Sequence, residues 1–99
     1  MSFWFRNWWG GKEHNVLLED LPRLLQTLEE ADDEHPQVDL GNSEGLVVSV
    51  HKNGLVIITD DQDYEYFKRG LDRAETLALM GRVATLDFDV ASLRGWDDG

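Results

Sequence analysis

Hydrophobic patterning is strongest over residues 46–60, where the chain reads LVVSVHKNGLVIITD. Two apolar, β-branched runs flank Asn53-Gly54. That dipeptide tolerates the positive φ angles of a type I′ turn, so the spacing predicts an antiparallel hairpin with strands over 46–52 and 55–60. Such a turn sets Lys52 opposite Leu55, His51 opposite Val56, Val50 opposite Ile57 and Val48 opposite Thr59. One face then carries Leu46, Val48, Val50, Leu55 and Ile57, the other Val47, Ser49, His51, Val56 and Ile58. Both faces are largely apolar, which predicts a central hairpin with something packed on each side.

Helical spacing dominates upstream. Leu21, Leu24, Leu25 and Leu28 recur at i, i+3, i+4 and i+7 and form the stripe of a helix over 17–31. Pro22 suits a first turn, where its missing N–H has no helical partner to lose, so Glu19 or Asp20 is the expected N-cap. A second helix is expected over 71–83, with Leu71, Ala74, Leu77, Ala78 and Met80 as its apolar members. Shorter stretches alternate as strands do. Phe3, Phe5 and Asn7 oppose Trp4, Arg6 and Trp8 before Gly10-Gly11 breaks the element. Val38 and Leu40 alternate with Gln37 and Asp39 after His35-Pro36, because the residue before proline is pushed out of the helical region. Residues 64–67 read as a short strand, and 85–90 as a last strand or an extended segment laid on the core. These elements predict one α+β domain over residues 1–99: a mainly antiparallel sheet of about four to six strands around the 46–60 hairpin, with one or two helices packed on it.

Charge changes the picture more than composition does. The chain holds 20 acidic against 9 basic residues, a formal net charge of −11. Such a surface repels nucleic acid and anionic membranes and attracts basic proteins; it also confers plain solubility. No apolar run approaches the roughly 20 residues of a membrane span. The first residues lack the basic region and apolar core of a secretory signal. The absence of cysteine excludes disulfides, zinc–thiolate sites and a cysteine nucleophile.

No catalytic constellation emerges, and neither an enzyme nor a cofactor is expected. Asp61, Asp63 and Glu65 alternate like the start of a calcium loop, with Asp72 at the twelfth position. However, Tyr66 stands where the loop needs glycine, and the twelfth position should be a bidentate Glu, so a solvated acidic turn is the reading. His14, His35 and His51 are too far apart in sequence to form a metal site on one element. Ser49 lies mid-strand, away from any nucleophile elbow.

The order helix-then-meander carries a resemblance. Leu-Glu-Asp-Leu-Pro-Arg-Leu-Leu over 18–25, His-Pro-Gln-Val-Asp-Leu over 35–40, Gly-Leu-Val-Val-Ser-Val over 45–50 and Gly-Leu-Val-Ile-Ile-Thr-Asp over 54–60 resemble the Imm1-type immunity proteins of bacterial toxin systems, over about half the chain. The aromatic N-terminus and the shorter region after Tyr66 depart from that family. The resemblance implies a cytoplasmic protein that blocks a cognate toxin by occlusion, with no catalytic residues. Charge agrees with it, because an acidic inhibitor is steered toward the basic cleft of a nucleic-acid-attacking toxin. The expected partner surface combines Glu29, Glu30, Asp32, Asp33 and Glu34 at the helix end with Asp60, Asp61 and Asp63 after the hairpin, anchored by Trp8 or Trp9. These groups merge into one patch if the helix runs parallel to the second hairpin strand and separate if it runs antiparallel. A phage- or plasmid-encoded acidic inhibitor of a nucleic-acid-binding host complex, or a small ligand-binding domain, are the alternatives. Sequence leaves the oligomeric state open.

Overall fold

The loop at Asn53-Gly54 sets the register of the sheet, and it is not a type I′ turn. The computed structural model of the chain describes residues 3–14, 16–31, 34, 37–93 and 95–98. Strands β4 (Val47–His51) and β5 (Val56–Thr59) form the expected hairpin. The Gly54 N–H donates to the His51 carbonyl at 3.0 Å, and the His51 N–H donates to the Leu55 carbonyl at 2.8 Å. Gly54 has a φ of +92°, whereas Asn53 keeps a negative φ and accepts the Leu55 N–H on its side-chain oxygen at 3.1 Å. This is a type I turn closed by a left-handed bulge residue, a loop one residue longer than type I′.

The longer loop corrects the expected pairing. Val50 lies opposite Val56, Ser49 opposite Ile57, Val48 opposite Ile58 and Val47 opposite Thr59. A one-residue slip moves every side chain of a strand to the other face. Val56 and Ile58 therefore join Val48 and Val50 in the core, and Ile57 moves to the opposite face with Val47 and Ser49.

The same hydrogen-bond pattern closes three more loops. Asn7 with Gly10 and Gly11, Asn42 with Gly45 and Leu46, and Asp60 with Asp63 and Tyr64 repeat it. In each of the three, the leading Asn or Asp turns its side-chain oxygen onto backbone N–H groups of its own loop. Short polar side chains that mimic a turn in this way favour such loops. The loops join a nearly pure meander. The remaining strands are β1 (Phe3–Arg6), β2 (Lys12–Glu13), β3 (Gln37–Asn42), β6 (Glu65–Lys68) and β7 (Asp97–Asp98). All pairs are antiparallel in the order β2-β1-β3-β4-β5-β6-β7, with two-residue strands on both edges.

The Leu-rich stretch is helical from Leu18 to Glu30, as helix α1 (Leu21–Gln26) continued on both sides by tighter 3-10 turns. Leu21, Leu24, Leu25 and Leu28 are all buried, as their spacing requires. Asp20 stands just before α1, and its carboxylate accepts the Leu17 N–H at 3.1 Å. Helix α2 (Arg73–Ala84) is capped by Asp72 and Glu75 in reciprocal hydrogen bonds. Its buried face is Thr76, Met80, Val83 and Ala84, while Ala74 and Ala78 are exposed, so the inward stripe differs from the expected one.

Both helices cover one face of the sheet. Phe3, Phe5, Val38, Leu40, Val48, Val50, Val56 and Ile58 form a single core with the helical leucines, Met80 and Val83. Asn42 pins α2 to this face by donating its side-chain N–H to the Val83 carbonyl at 3.0 Å. The opposite face carries half-buried Trp4, Val47, Ile57 and Phe67 outside that core, so among the described residues the hairpin is packed on one side only. Residues 85–89 form no strand: Leu86 takes a φ of +60° and is exposed, while Phe88 packs on the core. The last strand is β7, in what reads as an acidic tail.

Candidate functional site

The meander has two ends, and the predicted acidic groups divide between them. Pairing of Arg6 with Asp39 and of Gln37 with His51 places the Asn7–Gly11 loop and the Asn53-Gly54 loop at one end. Pairing of Phe3 with Asn42 and of Thr59 with Glu65 places the loops at 43–45 and 61–63 at the other. The end of the Leu-rich helix lies at the first, because Lys52 Nζ donates to the Ala31 carbonyl at 2.9 Å. Its start faces the last turn of α2, where Leu18, Leu21 and Pro22 line a hollow with Gly81 and Thr85. The helix thus runs antiparallel to β5, and the acidic groups separate.

At the first end the acidic groups are mixed with cations. The Glu29 carboxylate accepts from Arg73 at 2.7 Å, and Arg73 also donates to Gln26 at 2.6 Å. Glu30 and Glu34 are exposed, and Asp32 and Asp33 lie outside the described residues. Trp8 is half-buried against the core, its Nε1 buried without a hydrogen-bond partner among the described residues; Trp9 is 57% exposed and meets Trp8 edge-on with ring centres 5.4 Å apart. Trp8 and Glu34 share a shallow cavity with Arg6, Gln37 and Asp39.

Beside this cavity on the uncovered face stands His51. Its Nε2 is also buried without a partner among the described residues. Burial pushes the His51 pKa below its ordinary value of 6.5; the nearby Asp39 carboxylate opposes that shift and the Arg69 guanidinium reinforces it.

The other end is mainly acidic, with one cation beside it: the Arg82 guanidinium lies 5.8 Å from the ring centre of Phe88. Glu44, Asp60, Asp61 and Asp89 surround an apolar floor of Leu46 and Phe88, in an open hollow of about 370 Å³ with no Lys or Arg among its described lining residues. Asp63 belongs to the same loop as Asp60 and Asp61. Asp60 spends one carboxylate oxygen on the N–H groups of Gln62 and Tyr64, at 2.9 and 3.0 Å. Asp61 is exposed and sits close against Gly45, which holds the neighbouring loop beside it. No group of three or more His, Asp or Glu close enough to hold a metal ion occurs among the described residues.

Of the residues expected from sequence, Asp60 and Asp61 line this hollow and Asp63 lies in their loop; Glu44, Asp89 and the apolar floor were not among the expected residues. The signal for Glu44 was available: Asn42-Ser43-Glu44-Gly45 and Asp60-Asp61-Gln62-Asp63 occupy the same loop type, and alternate hairpin loops of a meander fall at the same end. No local signal marked Asp89, which reaches the hollow through the irregular segment after α2. No protein-family model, curated protein or solved structure matches this chain.

Proposed function

We propose that the protein is a small, non-enzymatic binding inhibitor that recognises a basic protein partner, most like a cytoplasmic immunity protein that occludes a cognate toxin. The observation that carries this reading is the acidic end: Glu44, Asp60, Asp61 and Asp89 around Leu46 and Phe88. A mainly acidic rim around an apolar centre has the chemistry of a protein-docking surface, where the rim steers and the centre desolvates, and Arg82 over Phe88 offsets only part of that charge. The same charges disfavour nucleic acid, whose phosphates need cations. Trp8 and Trp9, at the opposite end, belong to a different surface and do not anchor this one.

Capture of partners from the native host at low salt, followed by association kinetics, tests the proposal. Reversing Glu44 and Asp61 to Lys should slow association with the captured basic protein by about tenfold or more and flatten its salt dependence, with a smaller effect on dissociation. Unchanged association kinetics in the reversed protein would overturn the acidic end as the docking surface.

A further inference from the structure

We propose that the uncovered face of the sheet is the interface of a face-to-face homodimer, with the two-fold axis running along β4. Antiparallel sheets that face water usually alternate apolar-in with polar-out. This sheet does so at Gln37, Asp39, Ser49, His51 and Thr59, but not throughout. Its outer face carries Val47 on β4, Ile57 on β5, Phe67 on β6 and Trp4 on β1, all half-buried by their own strands and none in the core. Trp4 lies flat over Gly41, where a Cβ would collide with the indole, and Lys12 Nζ sits 4.4 Å from its ring centre. An immobilised indole of this kind is the sort of residue that anchors interfaces.

Topology makes the face self-complementary. In the order β2-β1-β3-β4-β5-β6-β7, β4 is the centre, so a two-fold axis along it brings β2 over the second copy's β7 and β1 over its β6. The charges at the two margins follow that antisymmetry, while Asp39 on β3 and Arg69 past the end of β6 do not. Register places Lys12 of β2 and Arg6 of β1 at one margin, and Asp97 of β7 and Glu65 of β6 at the other. The dimer therefore sets Lys12 against Asp97 and Trp4 against Glu65 twice over, with Val47 meeting its own copy on the axis. With Asp39 and with Arg69 near His51 included, the face holds three cations and three carboxylates, balanced on a chain of net charge −11. A surface so much less acidic than the molecule can approach its own copy, and sheets stacked about 10 Å apart with aligned strands form the sandwich this geometry requires. Strands about 4.8 Å apart give a face roughly 29 Å wide, at the small end of specific interfaces, so association is reversible and concentration-dependent.

Sedimentation equilibrium on the full chain over a range of protein and salt concentrations tests the dimer independently of any partner. The expected result is a monomer–dimer equilibrium that tightens with added salt, because net repulsion is screened more than the few cross-pairs. Val47→Glu places two carboxylates on the axis and should weaken dimerisation at least about 100-fold, as like charges in a buried contact cost several kcal/mol. Lys12→Glu should weaken it by a smaller factor, and Lys12→Glu combined with Asp97→Lys should restore it. Circular dichroism and thermal melts establish that each variant is folded, and the exposed Lys12 and Asp97 keep the test decisive if Val47→Glu unfolds the protein. A monomer at the highest concentration reached, or a dimer indifferent to these reversals, overturns the proposal; so does a monomer whose uncovered face becomes protected only in a partner complex.

Discussion

Among single residues, His51 couples the fold most directly to solution conditions. Burial holds its folded pKa below the ordinary 6.5. The unfolded chain therefore binds a proton at a higher pH than the folded chain does. Stability is unaffected well above pH 6.5 and is lost as pH falls through 6.5 toward the depressed folded value. Denaturant melts at about pH 7.5, 6.5 and 5.5 should show a larger loss across the lower interval for the native protein than for His51→Gln, which cannot take up the proton. Equal losses, or an imidazole NMR midpoint at or above 6.5, would remove His51 as the cause. This behaviour could not be read from the sequence, where His51 is one polar residue in a strand; its environment comes from Asp39 and Arg69, which are distant along the chain. Asn42 is similar: Asn42-Ser43-Glu44-Gly45 reads as a turn, but the bond from its amide to Val83 joins residues 41 positions apart.

At the level of elements, strand existence was legible and register was not. Alternation located the hairpin, β3 and β6, and the leucine stripe located α1, because periodicity is a local property. The facing of β5 depended on one residue of loop length, which Asn53-Gly54 leaves undecided: glycine satisfies the left-handed position of either loop. Deciding between them requires the other side of the sheet, since only the longer loop buries Val56 and Ile58 together with Val48 and Val50. Likewise, the inward stripe of α2 includes Thr76, whose hydroxyl donates to the Asp72 carbonyl at 2.8 Å and so enters the core with its polarity satisfied. The four related loops make a paired prediction. Gly54→Val forces a β-branched residue to a φ of +92° and should cost about 1–3 kcal/mol in a denaturant melt. Asp63, which holds the equivalent position at +66° without a glycine's freedom, should respond in the opposite sense. Asp63→Gly relieves that strain against a loss of about 0.4–1 kcal/mol from the freer unfolded chain, leaving a gain of up to about 1 kcal/mol. A stabilised Gly54→Val or a clearly destabilised Asp63→Gly would show that these two loops are not the same device.

On the scale of the whole molecule, the distribution of charge matters more than its total. Twenty carboxylates and nine cations fold into a body of 32 × 29 × 24 Å. Ion pairs among the described residues are few: Arg6 with Asp39, Arg23 with Asp20, and Glu29 with Arg73. The more exposed pairs, Arg23 with Asp20 and Glu29 with Arg73, are worth about 0–1 kcal/mol each, and Arg6 meets a largely buried Asp39 only at 4.0 Å. Screening them removes little, whereas screening the remaining like-charge repulsion relieves a term that acts across the whole surface and favours the expanded chain. The screening length is about 30 Å at 0.01 M salt and about 3 Å at 1 M. At low salt every carboxylate therefore feels the rest of the molecule, and at high salt only its neighbours. Sodium chloride should raise the melting temperature steadily across that range. Relief of about 1 kcal/mol corresponds to about 4–8 °C for a domain of this size. Running the same scan on dilute Val47→Glu separates this intramolecular effect from dimerisation, since the variant should keep the salt-induced rise while losing the dependence on protein concentration. A melting temperature that falls with salt would mean that the ion pairs outweigh the repulsion, and that the acidic surface is internally balanced rather than held open for a cationic partner.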